Sequence, residues 1–176
     1  MNFAVAQVNP LQKKRAAPAR ASTKAQKITT FLMFNHGAEE AVNLYVSTFK
    51  NARILGLGHM DGPGGTMANA TFELEGQRFI AMDGGPHFSF AQGMSLFVSC
   101  KTQDEIDHLW EGLSKGGQKS RCGWLTDKFG VSWQIVPETL GEMLSDAESG
   151  NAQAAMEAML KMGKLDIKTL EKAYRS

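Results

Sequence analysis

The sequence predicts an α+β fold in which two βαβββ repeats form a cupped mixed sheet, followed by a C-terminal helical extension. Two acids, an apolar residue, two further residues, a leucine and an aromatic occur in this order at 39–45 and again at 104–110, 65 residues later. An apolar, strand-like segment precedes each copy, at 31–34 and 96–99. A duplicated strand and helix is typical of a two-repeat fold. Two unrelated amphipathic helices with acidic first turns are the alternative, and the matching upstream strands disfavour it.

The first repeat has a local signal for every element. Residues 28–34 are apolar, β-branched and aromatic, which predicts a buried strand. Residues 52–60 predict a second strand, and the alternating residues 67–74 predict a hairpin that turns at Glu75-Gly76 and returns over 78–82. Between the first two strands, apolar residues recur at helical spacing: Ala41, Val42, Tyr45, Val46 and Phe49.

The second repeat follows the same order. Residues 95–100 predict a strand, and Thr102 with Glu105 forms a capping box, in which both side chains satisfy free amides at a helix start. Strands are expected around 119–125 and 131–136, joined by a turn at 127–130. After Pro137 the apolar residues recur at helical spacing. We therefore divide the chain into a basic tail (1–26), a two-repeat domain (27–137, with repeats at about 27–83 and 94–137) and a helical extension (138–176).

Charge and composition narrow the function classes. Six basic residues and no acid lie in residues 1–27, so residues 28–176 hold 13 basic and 18 acidic residues. A mildly acidic folded part makes a nucleic-acid surface unlikely. Cys100 and Cys122 match no zinc pattern and are too few for a disulfide framework, which predicts a cytoplasmic protein. No apolar segment approaches the ~20 residues of a membrane span.

Four separated segments resemble one protein family. They are ITTFLMFN at 28–35, DGGPHFSF at 83–90, CGWLTDKFG at 122–130 and SWQIVP at 132–137. In this order they resemble the PhnB-like branch of the vicinal-oxygen-chelate superfamily, which includes glyoxalase I, bleomycin and fosfomycin resistance proteins and extradiol dioxygenases. Members of this branch often carry the label 3-demethylubiquinone-9 3-methyltransferase. The resemblance covers about residues 27–174 and implies homodimers in which repeats from two chains complete one cavity.

The resemblance also implies where a metal would bind, because each superfamily repeat contributes ligands from its first and last strands. On that pattern Thr30 and Ser95 take the first-strand positions, and Ala81 and Gln134 take the last-strand positions. Hydroxyls are poor ligands for divalent ions and alanine is none. We therefore expect no metal and no cofactor. The four histidines are expected to be surface or packing residues, although the loop that carries His87 could fold across the cavity mouth.

An apolar, aromatic cavity between the repeats is the expected site, with a few polar groups that orient a ligand. The alternative is that the aromatic residues only fill the core. Asp83 and Asp127 could act as bases if they are desolvated. The candidate ligand-binding residues are Thr30, Phe31, Met33, Met82, His87, Phe88, Phe90, Ser95, Cys122, Trp124, Trp133 and Gln134.

The sequence thus predicts a metal-free, PhnB-like homodimer that binds a small apolar or aromatic molecule. An enzyme of the superfamily, whether isomerase, lyase or transferase, is the alternative, with His87, Cys122 and Gln134 as candidate catalytic residues. The methyltransferase of the family label is disfavoured, because the glycines at 62–65 lie between two strands and not between a strand and a helix. A third hypothesis is a regulatory or interaction protein that uses the basic tail to bind a nucleic acid or an acidic partner weakly.

Overall fold

A computed structural model describes residues 26–176, apart from 63–64, 92 and 147–149. The predicted tail therefore lies outside the described residues, except for Gln26. The first repeat comprises β1 (Thr30–Phe34), α1 (Ala38–Thr48), β2 (Ala52–Gly62), β3 (Gly65–Leu74) and β4 (Gln77–Asp83). The second comprises β5 (Leu96–Cys100), α2 (Gln103–Ser114), β6 (Gln118–Lys119), β7 (Trp124–Thr126) and β8 (Ser132–Pro137). The extension comprises α3 (Glu138–Ser145), α4 (Ala152–Lys161) and α5 (Ile167–Tyr174).

The two repeats have the same sheet topology. The strand orders are β1-β4-β3-β2 and β5-β8-β7-β6, so each repeat forms its own four-stranded sheet. In each sheet the first and last strands of the repeat pair in parallel, and the other pairs are antiparallel. The predicted α+β class and βαβββ duplication are confirmed. The cupped sheet of the prediction is formed by two mixed sheets, with β1 and β5 at their edges.

Both helices pack on the same side of the sheets and create one shared core. Alternate residues of β1, β3, β4 and β5 face α1 and α2, and the large side chains buried there include Tyr45, Phe72 and Trp133. Trp133 lies edge-on to Tyr45, with 5.1 Å between ring centroids. Burial of such large apolar side chains is the main favourable term in folding. The intervening strand residues point away from α1 and α2, and we call the surface that they form the open face.

The buried carboxylate of Asp127 joins three elements of this core. One of its oxygens accepts hydrogen bonds from the Tyr45 hydroxyl of α1 (2.7 Å) and the Trp133 indole of β8 (2.9 Å). The other accepts from the backbone amides of Phe129 (2.9 Å) and Val131 (3.0 Å). The residue is only 3% exposed. Sequence reasoning anticipated its turn, and the four hydrogen bonds explain how a charged group is tolerated in the interior.

The two repeat helices begin with different caps. The Thr102 hydroxyl accepts from the Glu105 amide (3.2 Å), and the Glu105 carboxylate accepts from the amide of Lys101, the residue before the N-cap (2.8 Å), so both side chains satisfy amides at this helix start as predicted. At α1 the N-cap residue is Gly37, which has no side chain to offer. The carboxylate of Asp83 at the end of β4 instead accepts from the Ala38 amide at 2.9 Å. The first helix is therefore capped by the sheet, and the second by its own sequence.

The extension is attached to a tight turn between β6 and β7. The amides of Cys122 and Gly123 donate to the carbonyls of Met162 and Gly163, both at 2.8 Å. Cys122 has a φ of 56° and Gly123 a φ of 79°. The strand expected at 119–125 is thus wrong as one continuous element, because this left-handed turn divides it into β6 and β7.

The first strands of the two repeats match at an offset of 66 residues and not 65. Leu32 and Phe34 of β1 face the helices, and so do Val98 and Cys100 of β5. The connection from strand to helix has three residues in the first repeat and two in the second, so only the helix starts keep the offset of 65. A shift of one residue along a strand exchanges its two faces. The predicted equivalence of Thr30 with Ser95 is therefore wrong, and Thr30 corresponds to Leu96.

The helices of the described part of the chain are short. The longest, α2, has 12 residues. Among the residues described, none has both the length and the apolar character that crossing a lipid bilayer requires.

Candidate functional site

A cavity of about 300 Å³ lies beside β1, near the start of β5. Residues 30–33 form one side, and residues 94–96 lie opposite. Residues 88–91 of the loop between the repeats and residues 131–132 at the start of β8 complete the lining. We call this space the seam cavity, because it lies where the edge strands of the two sheets approach each other.

The loop between the repeats is held against the first sheet by aromatic and glycine contacts. Phe90 lies edge-on to Phe34 of β1, with 5.1 Å between centroids. A Cβ atom at Gly84 would lie 2.4 Å from the Met33 sulfur and 2.8 Å from the Phe88 ring. A larger residue at this position would require Met33 and Phe88 to move. The loop therefore brings Phe88 and Phe90 to the seam cavity, as the sequence predicted, although the exposed His87 is not among the lining residues.

Hydroxyl groups supply the polar part of the lining, which is otherwise apolar. The Gln134 side-chain amide donates to the Ser95 hydroxyl at 2.8 Å. Thr30, Ser89 and Ser132 also line the cavity. Gln134 itself is not a lining residue, so it acts on the cavity through Ser95.

A second cavity of about 520 Å³ adjoins the first along β5. The two share Thr30, Met94, Ser95 and Leu96. Residues 97–99 and Trp133 extend the lining of the second cavity, together with residues from the β3–β4 hairpin. Phe97 is 61% exposed here and Phe31 is 47% exposed beside the first cavity. Both edge strands therefore present large apolar side chains to open space.

The structure brings half of the predicted ligand-binding residues together. Six line the seam cavity: Thr30, Phe31, Met33, Phe88, Phe90 and Ser95. Trp133 is buried in the core on the helix side, where Asp127 accepts its indole proton. Cys122 lies in the turn that holds the extension, and Trp124 pairs with Gln134 on the neighbouring strand. Met82 pairs with Met33 in the first sheet without lining the cavity.

Several lining residues escaped sequence reasoning. Ser89, Ala91 and Met94 lie on the loop between the repeats, and Val131 and Ser132 lie at the start of β8. The only available signal was that this loop carries apolar residues without periodicity. Its path across β1 depends on contacts with Phe34 and Met33, which are distant in sequence.

The residues at the superfamily's ligand positions do not fit a divalent metal. Strand pairing places Phe31 beside Ile80 in the first repeat, and Phe97 beside Gln134 in the second. The predicted equivalence of Ala81 with Gln134 is therefore wrong, because Ala81 is fully buried on the helix side and Ile80 takes that position. Three apolar side chains and one amide cannot hold Mg²⁺, Mn²⁺ or Zn²⁺. Within the described ranges, no three His, Cys, Asp or Glu residues are grouped as a metal site requires.

Most of the other candidate bases have structural partners. Asp83 accepts from the amides of Ala38 and Ala68. His59 pairs with Glu39 at 2.8 Å, and His108 contacts the Thr48 carbonyl at 2.9 Å. These bonds hold backbone and surface groups in place. They leave no base beside the seam cavity within the part of the chain that the structure describes.

The two cysteines differ in environment, and neither lines the seam cavity. Cys100 is 1% exposed in the core, and burial, with a contribution from Glu105, raises its pKa to about 12. A thiol with such a pKa is protonated at neutral pH and a poor nucleophile. Cys122 is partly exposed, and both thiols are free.

Three solved structures show what the fold is similar to. The PhnB protein of Bacillus cereus, described as a 3-demethylubiquinone-9 3-methyltransferase, is 40% identical, covers 64% of this chain and 99% of its own, and gives a TM-score of 0.59. Protein PA1353 of Pseudomonas aeruginosa is 20% identical over 65% of this chain and 98% of its own (TM-score 0.55). The fosfomycin resistance protein FosX of Listeria monocytogenes is 13% identical over 69% and 98% (TM-score 0.51). The last two similarities are evidence of fold alone.

The family comparison covers most of the two-repeat region. No curated protein matches the chain. The family described as 3-demethylubiquinone-9 3-methyltransferase matches residues 26–136, more than half of the sequence. The resemblance noted in the sequence is thereby confirmed: this chain belongs to the 3-demethylubiquinone-9 3-methyltransferase family, the PhnB-like branch of the vicinal-oxygen-chelate superfamily.

Proposed function

We propose that this protein is a metal-free member of its superfamily that binds a small apolar or aromatic molecule in the seam cavity. The observation that carries the proposal is the lining itself. Phe31, Met33, Phe88, Phe90 and Met94 surround about 300 Å³ with hydroxyl groups between them. Small-molecule sites typically have this volume and this combination of apolar walls with few polar groups.

A second copy of the chain completes the site in this proposal. Among the strands that the structure describes, β1 and β5 each pair with one neighbour, so each has a backbone edge that no described strand covers. Phe31 and Phe97 are exposed on these strands. An unpaired edge with apolar side chains is a surface that proteins normally cover. A homodimer would cover both edges and close the cavity against water.

The rival functions have less support. The family label names a methyltransferase. A nucleotide-binding glycine loop joins a strand to a helix, whereas here Gly62 ends β2 and Gly65 begins the antiparallel strand β3. The three candidate catalytic residues lie in different places. His87 is on the loop between the repeats, Cys122 is in the turn between β6 and β7, and Gln134 donates to Ser95. No observation groups them as a catalytic set. We also propose a cytoplasmic location, because both cysteines are free thiols, as is usual in a reducing compartment.

Native mass spectrometry with metal analysis of the same purified sample tests the proposal. We expect a metal-free dimer that carries a small organic molecule. Ala91→Trp should displace that molecule, because Ala91 is an exposed lining residue whose enlargement fills the cavity mouth. Trp124→Ala is the matched control, since Trp124 does not line the cavity. A stoichiometric divalent ion that a chelator removes would contradict the metal-free assignment, and retention of the molecule by Ala91→Trp would place it elsewhere.

A further inference from the structure

The lining of the seam cavity is uncharged. Among its described residues there is no Lys, Arg, His, Asp or Glu. An anion that enters such a site loses its hydration and gains no opposite charge, so its burial costs more free energy than its apolar contacts return. The lining therefore discriminates against carboxylates and phosphonates.

Hydrogen-bond direction adds a second constraint. The Ser95 hydroxyl accepts from Gln134 at 2.8 Å and still has its own proton to donate. No described residue accepts that proton. Ser132 is 7% exposed, and its hydroxyl has no protein partner among the described residues either. Arg78 Nε is the one buried polar side-chain atom without a partner among the described residues, so water can satisfy both hydroxyls. A ligand that displaces this water and offers no acceptor leaves the hydroxyls unpaired, which is unfavourable, so a ligand that brings an acceptor is favoured.

We propose that the seam cavity selects an uncharged molecule with an aromatic or aliphatic body and one oxygen acceptor, such as a carbonyl, which receives the hydrogen bond of Ser95. Gln134 is a positioning residue in this arrangement. Its amide fixes the Ser95 hydroxyl so that the free proton points away from β8. The inference rests on the proposed small-molecule function and narrows its ligand class.

Three probes of similar size separate charge from hydrogen bonding. Acetophenone has a neutral carbonyl, ethylbenzene lacks the acceptor, and benzoate carries an anion. Each is titrated into the full-length, isotope-labelled protein, and binding is followed by the amide resonances of residues 30–33, 88–91 and 95–96. We expect acetophenone to bind ~3- to 10-fold more tightly than ethylbenzene, the range of one neutral hydrogen bond, and at least ~10-fold more tightly than benzoate.

Variants assign the preference to one hydroxyl. Ser95→Ala should abolish the advantage of acetophenone over ethylbenzene and leave the affinity for ethylbenzene unchanged. Ser95→Thr, which keeps the hydroxyl, should restore the advantage. Ser99→Ala is the matched control, because Ser99 lies on β5 close to Ser95 in sequence but does not line the seam cavity. An unchanged preference in Ser95→Ala would overturn the role of Ser95.

Failure of the inference and failure of the proposed function give different results. Tight binding of benzoate at these resonances would overturn the neutral-ligand selectivity while the small-molecule function stands. If neither acetophenone nor ethylbenzene shifts any of these resonances, the seam cavity is no binding site, and both proposals fall together.

Discussion

Single residues in this molecule are fixed by hydrogen bonds that cross between elements. The carboxylate of Asp127 is the clearest case, because four donors from α1, β8 and the intervening turn converge on it. A hydrogen bond to a charged group contributes about 1.5–3 kcal/mol. Asp127 is therefore a structural residue whose loss affects the whole core.

Substitution of this carboxylate should destabilise the protein. Asp127→Asn replaces one acceptor oxygen with an NH₂ group that faces two donors, and we expect the free energy of unfolding to fall by about 2–4 kcal/mol. Urea denaturation measures the change. Asp61→Asn, at an exposed position of β2, should alter stability by less than about 0.5 kcal/mol. Equal stabilities of the two variants would contradict the role given to Asp127.

The Tyr45 hydroxyl makes stability depend on alkaline pH. Burial, and after it the negative charge of Asp127, raises the pKa of Tyr45 well above 10.0. Because the folded pKa exceeds the unfolded one, the contribution is fully present below about pH 10 and is lost as pH rises further. We expect the stability difference between wild type and Tyr45→Phe to shrink as pH rises above about 10 in urea denaturation. A difference that stays constant over this range would refute the linkage.

Prediction from sequence succeeded for residues whose position is set by neighbouring residues in the chain, and failed for residues whose position is set by packing between distant elements. The capping box of Thr102 and the Asp127 turn are both encoded within a few residues and were found. Trp133 was expected in the cavity, and its burial beside Tyr45 depends on which strand face meets the helices. Strand periodicity gives two faces but does not say which is inside.

The C-terminal extension is attached to α2, through hydrogen bonds of Gln103 with Leu165 and Ile167, and to the turn between β6 and β7. The amides of Cys122 and Gly123 hold the α4–α5 connection, and the carbonyl of Gly123 accepts from the Ile135 amide at 2.8 Å. A Cβ atom at Gly123 would lie 2.5 Å from the Ile135 carbonyl oxygen. Three segments therefore meet at a position that excludes every other residue type.

Replacement of that glycine should loosen the extension. Gly123→Ala combines a positive φ with a backbone clash, and we expect a loss of about 2 kcal/mol or more, with faster hydrogen exchange over residues 150–176. The matched control is Gly141→Ala in α3, where an added Cβ meets nothing within 4 Å. This control should be neutral or more stable by up to about 1 kcal/mol. Unchanged exchange in Gly123→Ala would show that the extension is held elsewhere.

At the scale of elements, the sequence predicted order and type well and register less well. Because their periodicities are local, the helices and strands of both repeats were anticipated, except that β6 and β7 were expected as one strand. The 65-residue offset, however, follows the helices, and a strand-to-helix connection shorter by one residue moves the strands to 66. The length of this connection can be counted only when the last residue of the strand and the first residue of the helix are known.

The whole molecule is expected to function as a dimer. In the proposed dimer, a second copy would dock on the edges of β1 and β5, where Phe31 and Phe97 are exposed. The cavity lining could not be assembled from sequence, because its loop residues reach β1 only through long-range contacts. The family, in contrast, could be recognised from four short segments.

A charge placed on this surface should separate the subunits. We expect Phe97→Glu to shift the protein from dimer to monomer in analytical ultracentrifugation, since a buried unpaired carboxylate opposes association. Leu160→Glu on α4 replaces an apolar residue that is 52% exposed and should leave the dimer intact. A Phe97→Glu variant that remains dimeric at low micromolar concentration would locate the interface elsewhere.

The different caps of the two repeat helices have a consequence for how the chain acquires its structure. Residues 101–115 contain their own start signal, so α2 can nucleate before any sheet exists. The cap of α1 requires the carboxylate of Asp83, which is 45 residues away along the chain. The intervening chain must therefore fold back on itself before α1 is capped. Although the repeats share a topology, their folding is expected to be unequal: the second helix nucleates early, and the first is completed only when its sheet closes.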